Sequence, residues 1–191
     1  MKARYDLLKK WDGFVYICVN IHIFTIEFRP IDMDTLLLTE LFAGFQRRFE
    51  QNATLQGWAE TEGVDPTRTP VGFNSGRFVN ELDEVSLAAA KACGLVIEDR
   101  KGLTSFGKKC LVFPLSYPLV PLSDLYFVPL DGKGGRYLFA GKGFYPACPA
   151  PNVEAVLLEP NILSAAKRIK GGSVFPVLAL ADGTPSRDIL T

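Results

Sequence analysis

Histidine is nearly absent from this chain of 191 residues, in which His22 is the single example. A Ser-His-Asp or Cys-His catalytic centre would have to use that residue, which falls inside an alternating apolar segment beside Cys18 and Asn20. A core or surface histidine without a catalytic role explains it better. The same scarcity excludes a histidine-based metal cluster, although sites built only from carboxylates stay open. We identify no catalytic residue and expect neither a metal nor a cofactor.

Cysteine is sparse and scattered, with no C-x-x-C pair that would indicate a zinc site or redox chemistry. The sequence also begins without a recognisable secretory leader, so an oxidising compartment is not indicated. We therefore expect four buried thiols, with a disulfide framework as the alternative. The four cysteines are Cys18, Cys93, Cys110 and Cys148.

Net charge is missing as well, because 21 lysines and arginines balance 21 aspartates and glutamates. No overall positive field would draw the protein to nucleic acid or to an anionic membrane, so such binding needs a local patch. The longest apolar run, Phe14 to Phe28, contains polar residues and is too short to cross a hydrocarbon core of about 30 Å. We expect a soluble, cytoplasmic protein without membrane contact.

Apolar periodicity predicts an α+β fold. Its N-terminal part combines core-packing helices with short strands, and Asp34 and Gly94 are suited to cap the first and the last of these helices. The predicted elements are a short helix or frayed terminus at 1–12, a strand at 15–23, helices at 35–51, 54–62 and 80–94, a loop at 63–76, a strand at 95–98, a turn at 99–102 and a second strand or a helix from Leu103.

Proline changes the character of the chain after residue 113. Four prolines within 16 residues, from Pro114 to Pro129, exclude a continuous helix and disfavour central strands, so this segment is predicted to be a linker or extended surface chain. The remaining pattern predicts a hairpin and a βαβ-like tail. The predicted elements are hairpin strands at 125–130 and 136–140, a strand at 153–158, a helix at 161–169 and a strand at 174–180.

The stretch from Val85 to Leu111 reads VSLAAAKACGLVIEDRKGLTSFGKKCL. It resembles the end of a winged-helix domain, where a helix ends in Gly-Leu-Val, a polar hairpin forms the wing and a Leu-Thr-x-x-Gly-Lys step opens the next helix. The resemblance covers residues 80–112, or 35–112 if the two preceding helices belong to it. It divides the chain into an N-terminal strand plus winged-helix-like domain at 1–113 and a proline-rich, β-rich part at 114–191. The alternative is that both parts pack as one domain.

The resemblance implies that the helix at 80–94 is a recognition helix, with nearby cations contacting phosphates. Against DNA, this helix begins with Glu81, Asp83 and Glu84, which repel phosphates, so a protein partner fits equally well. The implied phosphate contacts are Arg100 and Lys101 on the wing, Lys108 and Lys109 after it, and Arg77 before the helix.

A second basic group alternates with aromatic residues in the predicted hairpin region, as in proteins that bind single strands. A packed hairpin produces the same alternation, and the glycines of this region lack the spacing of a phosphate-binding loop. The cations of this group are Lys133, Arg136 and Lys142.

Three functions remain open from the sequence. The leading hypothesis is a non-enzymatic binding protein whose winged-helix-like module contacts DNA or a protein partner within a larger assembly. The first alternative is a purely structural subunit of a multiprotein machine such as a phage particle. The second is an enzyme with a carboxylate site that the sequence does not locate.

Overall fold

A computed structural model of the chain describes residues 8–11, 14–17, 33–117, 120–130, 134–139, 143–146 and 156–180. These residues form eleven strands, four α-helices and one 3-10 helix. In chain order they are β1 (Leu8–Trp11), β2 (Phe14–Ile17), α1 (Met33–Glu50), α2 (Ala53–Glu62), β3 (Gly72–Asn74), the 3-10 helix (Arg77–Asn80), α3 (Glu84–Ala92), β4 (Val96–Asp99), β5 (Gly102–Ser105), β6 (Cys110–Tyr117), β7 (Val120–Pro129), β8 (Arg136–Tyr137), β9 (Phe144–Tyr145), β10 (Val156–Glu159), α4 (Ile162–Lys170) and β11 (Val177–Leu180).

One mixed sheet of nine strands organises the described residues. Eight of its strands follow the order β1-β2-β10-β11-β9-β6-β7-β8, and β3 pairs with β6. Strands β10 and β11 are parallel and are connected through α4, which confirms the predicted βαβ unit. Strands β4 and β5 form a separate two-stranded hairpin. The α+β class is thereby confirmed.

Local capping explains where the helices begin and end. The side chain of Asn52 accepts hydrogen bonds from the first-turn N–H groups of Thr54 and Leu55, and Gly63 ends α2 in the left-handed region. The predicted helix at 80–94 is shorter in the structure, where α3 begins at Glu84 and the 3-10 helix ends at Asn80. Asp83 fixes the start of α3, since its carboxylate accepts the N–H of Ser86 at 2.7 Å. That hydrogen bond holds the pKa of Asp83 below its ordinary value.

Two groups of buried side chains surround the sheet. The first packs α2 and α4 on alternate residues of β6, namely Leu111, Phe113 and Leu115. The second packs α1 and the 3-10 helix on Cys110 and Val112 of β6 and on β7. Helix α1 approaches β3 so closely that a Cβ on Gly72 would lie 2.7 Å from the Cβ of Phe45. Every residue from Cys110 to Ser116 is buried, which shows that both faces of the sheet are covered there.

The prediction for the proline-rich segment was wrong, because β6 and β7 are neighbours inside the sheet. Pro114 lies opposite Leu125, whose carbonyl accepts the N–H of Leu138 on the side away from β6. Pro114 and Leu125 are therefore a pair without mutual hydrogen bonds. The N–H that proline lacks would face the other side of β6, between the residues that pair with β3 and those that pair with β9. A proline is tolerated at that position.

Other predictions need correction. Residues 8–11 of the predicted N-terminal helix form β1, because they pair with β2, and β3 lies in the predicted loop. Helix α3 and the β4–β5 hairpin lie where the winged-helix resemblance places a helix and a wing. The Leu-Thr-x-x-Gly-Lys step, however, opens no helix and leads through a turn into β6. The proposed division after residue 113 falls within β6, so we keep the alternative that both parts pack together.

Two of the predicted buried thiols lie within the described residues. Cys110 is buried and Cys93 packs partly buried against the same apolar group, whereas Cys18 and Cys148 lie outside the described ranges. His22 and most of the predicted strand at 15–23 also lie outside them. None of the helices in the described part is long and apolar enough to span a bilayer.

Candidate nucleic-acid interface and carboxylate edge

Three of the cations predicted to contact phosphates come together where β3 ends and β6 begins. Arg77 opens the 3-10 helix just after β3, and Lys108 and Lys109 immediately precede β6. All three are exposed, and we call them the basic corner. The antiparallel pairing of β3 with β6 brings these segments together although they are about 30 residues apart in the chain.

A buried asparagine connects the two segments of the basic corner. The Nδ2 group of Asn74 lies 2.7 Å from Ser105 Oγ, 2.8 Å from the carbonyl of Phe106 and 3.1 Å from that of Gly107, which share its two N–H donors. Its Oδ1 atom accepts the N–H of Gly76 at 2.8 Å. One side chain therefore fixes the backbone on both sides of the corner.

The backbone at the two lysines of the corner has an unusual conformation. The carbonyl of Asn74 accepts the N–H of Lys109 at 2.7 Å, and Lys109 has a positive φ of 61°. Such a conformation is uncommon in residues other than glycine, asparagine and aspartate. Gly76 passes beneath Lys108, because a Cβ there would lie 2.7 Å from Lys108 Cγ. The two lysines therefore start from a constrained turn rather than from a regular strand.

Among the described residues, no carboxylate forms an ion pair with the basic corner. Within the described part of the chain, the five ion pairs involve Arg48, Arg68, Lys91, Lys167 and Arg168, and none involves the corner. Glu81, one of the acidic residues that argued against phosphate contact, pairs with Arg48. The corner is thus a local patch of the kind that a chain without net charge needs for binding anions.

The remaining predicted contacts lie elsewhere. Arg100 and Lys101 occupy the tip of the β4–β5 hairpin, about 13 Å from its base at 3.3 Å per residue. Arg136 is exposed on β8 opposite Phe127 of β7, two strand spacings or about 10 Å from β6. Lys133 and Lys142 lie outside the described residues. The structure therefore groups three of the eight predicted cations.

A carboxylate lies at the carboxyl end of β10, a strand in the interior of the sheet. Glu159 is the last residue of β10 and is only 8% exposed. Its Oε1 atom accepts a hydrogen bond from Arg168 Nε at 3.0 Å, two turns along α4. Helix α4 begins beside it, with Asn161 accepting the N–H of Ser164 at 2.9 Å. In open α/β sheets, ligands bind where parallel strands end and the following helices begin. We call the carboxyl ends of β10 and β11, with Glu159 and the start of α4, the carboxylate edge.

The basic corner and the carboxylate edge occupy opposite ends of β6. Strand β9 is antiparallel to both β6 and β11, so β6, β10 and β11 run in the same direction. Ser116 is level with Phe144, which is level with Leu180 at the end of β11. Glu159 is therefore close to the level of Ser116. Lys109 lies seven residues before Ser116, about 24 Å along the strand at 3.4 Å per residue.

Sequence reasoning missed both Asn74 and Glu159. Asn74 was placed in a loop, although an Asn-Ser-Gly sequence after Phe73 is typical of a turn that follows a strand. Glu159 stands between a predicted strand and a helix that Asn161 caps, which is a usable signal for a site in a βαβ unit. No group of three or more potential metal ligands is present among the described residues.

The geometry can be compared with known proteins. The sequence matches no protein-family model and no curated protein. Solved structures do share its fold. A DNA primase domain from Pseudomonas aeruginosa matches with a TM-score of 0.62, 12% identity and coverage of 78% of this chain and 54% of that one. The fold is similar to that of DNA primases.

Two further structures support the likeness. The DnaG primase catalytic domain bound to ssDNA matches with a TM-score of 0.59 and 14% identity over 77% of this chain and 55% of that one. The RNA polymerase domain of Mycobacterium tuberculosis primase DnaG, in complex with double-stranded DNA, matches with a TM-score of 0.58 and 13% identity over 78% of this chain and 55% of that one. The chain thus spans about half the length of the primase structures.

The hypothesis of a non-enzymatic binding protein is contradicted by this likeness, because the structures that share the fold are catalytic domains of primases. The sequence left a carboxylate-based enzyme open but did not locate its site, so the winged-helix resemblance was given more weight. Transfer of phosphoryl groups depends mainly on positioning and on electrostatic stabilisation, and it does not require histidine.

Proposed function

We propose that this chain forms part of the catalytic core of a primase-like enzyme, which joins nucleotides on a DNA template. The observation that carries the proposal is the shared fold, which covers 76–78% of the chain in five matches to primase structures with TM-scores of 0.56–0.62. The whole activity is proposed for a chain that spans about half of those structures.

The basic corner supports a nucleic-acid partner. Its three cations are exposed and have no ion-pair partner among the described residues, so phosphates can neutralise them without breaking existing pairs. We assign DNA-backbone contact first to Arg77, Lys108 and Lys109. Arg100 and Lys101 form a second, separate group, and Arg136 is a peripheral contact.

The carboxylate edge supports a site for the reaction. Glu159 is buried beside an exposed helix start, and its charge is stabilised by Arg168. A carboxylate accepts hydrogen bonds and attracts cationic or hydroxyl groups, which a nucleotide substrate brings with its counterions and ribose. We propose that nucleotides bind where β10 ends, whereas the template backbone is held at the basic corner.

The test is template-directed synthesis by the full chain. Homopolymeric single-stranded DNA templates are incubated with the four ribonucleotides and Mg²⁺, and one ribonucleotide at a time is labelled. We expect an oligothymidylate template to direct incorporation of AMP alone and an oligodeoxycytidylate template to direct incorporation of GMP alone. Incorporation that ignores the template, or none with any template, would refute the proposal.

Two variants distinguish a reaction site from a structural ion pair. Glu159→Gln removes the charge at the carboxylate edge, whereas Arg168→Gln removes its partner and leaves the carboxylate in place. If Glu159 serves the reaction, Glu159→Gln abolishes synthesis and Arg168→Gln retains part of it. Equal loss in both variants, together with equal loss of thermal stability, would assign the pair to folding alone.

A further inference from the structure

The side chain of Asn74 is fully buried, and its hydrogen bonds connect a distant segment with the turn that follows β3. Its amide group binds residues 105–107, about 30 residues later in the sequence, and its carbonyl oxygen binds Gly76. A buried polar side chain is costly unless it is fully hydrogen-bonded, and Asn74 meets that condition. No apolar residue of similar size would make these bonds.

These bonds end next to the cations of the basic corner. Gly76 directly precedes Arg77, and Gly107 directly precedes Lys108. The backbone carbonyl of Asn74 also holds Lys109 in its left-handed conformation. Sparsely populated backbone conformations persist where the surroundings impose them, and they are concentrated at functional sites. The network therefore sets the starting direction of all three side chains.

Grouping three like charges is unfavourable for the isolated chain. The repulsion among Arg77, Lys108 and Lys109 is not relieved by a carboxylate of the described residues, but closely spaced phosphates would relieve it. An arrangement fixed in advance binds such phosphates more tightly, because less side-chain and backbone freedom is lost on binding.

We propose that Asn74 is the positioning residue that makes the basic corner a single site for consecutive phosphate groups. This inference deepens the proposed function, in which those phosphates belong to the backbone of the template. Asn74 acts through the corner and does not itself touch the phosphates, since it is buried.

The test is a double-mutant cycle measured by binding. Affinity for an oligothymidylate of about 30 nucleotides is measured by fluorescence anisotropy for wild type, Asn74→Ser, Arg77→Gln/Lys108→Gln/Lys109→Gln and the combination of all four. We expect Asn74→Ser to weaken binding at least about threefold in the wild-type background and to have no further effect in the variant without the corner. An equal effect in both backgrounds, or none in either, would overturn the inference.

A matched control separates positioning from loss of stability. Leu55→Ala removes a buried side chain of the first apolar group, to which no residue of the corner contributes. We compare both variants at temperatures equally far below their midpoints of unfolding. Leu55→Ala is expected to bind the oligonucleotide like wild type. If it weakens binding as much as Asn74→Ser does, Asn74 has only a structural role.

A second probe separates this inference from the proposed function. Binding of inorganic tripolyphosphate is measured by calorimetry for the same four proteins. If tripolyphosphate shows the predicted coupling but the oligonucleotide does not bind, Asn74 positions a site for free polyphosphates, and the template part of the proposed function fails. If neither probe binds wild type, the inference is wrong, whereas the synthesis assay still decides the proposed function.

Discussion

The salt dependence of DNA binding tests the basic corner most directly. The perturbation is the triple variant Arg77→Gln/Lys108→Gln/Lys109→Gln, which removes three exposed positive charges and no ion pair of the described residues. Because a bound cation displaces counterions from the nucleic acid, the affinity depends on salt in proportion to the number of phosphates that the protein neutralises.

The size of the effect follows from the number of cations. Each contact with a single strand contributes about −0.7 to the slope of log affinity against log salt, so three contacts contribute about −2. Between about 50 and 200 mM salt, this difference corresponds to a factor of about 15 in affinity. Wild type should therefore lose about 15-fold more affinity than the triple variant over that range.

The assay is fluorescence anisotropy with a labelled single-stranded oligonucleotide at several salt concentrations. The control is Arg68→Gln/Lys91→Gln/Lys167→Gln, which changes the net charge equally but removes cations that already pair with Asp65, Glu98 and Glu62. We expect the control to keep the wild-type slope. An unchanged slope in the corner variant would show that the corner does not contact DNA, and an equal change in the control would show that binding depends on net charge alone.

Three further predictions concern stability. Lys109→Gly and Lys109→Ala both remove the charge, but only glycine relieves the left-handed backbone, so Lys109→Gly should melt about 2–4 °C above Lys109→Ala while binding DNA equally weakly. Equal melting temperatures would contradict this. Asn52→Ala should lower the free energy of unfolding by about 1 kcal/mol through loss of the α2 cap, whereas Asn52→Ser should retain most of the wild-type stability. Thermal melting of the two variants measures this difference. Burial raises the pKa of Tyr145, whose hydroxyl donates to the carbonyl of Pro70, so its contribution is complete below pH 10 and is lost as the pH rises further. Tyr145→Phe should therefore lose less stability than wild type between pH 9 and 11 in urea titrations, and an equal loss would assign the decline to other groups.

The helices could be predicted from the sequence because their determinants are local. Asn52 and Gly63 lie within a few residues of the helix ends that they cap, and the apolar face of α1 repeats within the helix itself. The sheet was harder, because its pairing depends on distant segments. Pro114 forbids a hydrogen bond on one side of β6 only, and the sequence does not reveal which neighbour lies on that side.

The site was predicted only in part, because it too depends on the pairing of distant segments. Arg77, Lys108 and Lys109 were identified from a resemblance to a winged helix, yet pairing of β3 with β6 brings them together. Glu159 gave a weaker signal, because its place at the end of two parallel strands depends on the direction of β10 relative to β11. Residue types therefore indicated the cations, whereas only the topology separates the corner from the carboxylate edge.

This separation predicts that binding and synthesis can be altered independently. About 24 Å along β6 lies between Lys109 and the level of Glu159, beyond the Debye length of about 8 Å at physiological salt. Charge changes at one end should therefore have little direct effect at the other. Glu159→Gln should bind the oligonucleotide with wild-type affinity and salt slope while losing synthesis. The triple corner variant should recover synthesis when the template is raised to saturation, because its defect lies in affinity. If saturating template does not restore the rate, the corner acts in the reaction itself, and template binding and synthesis do not depend on separate ends of β6.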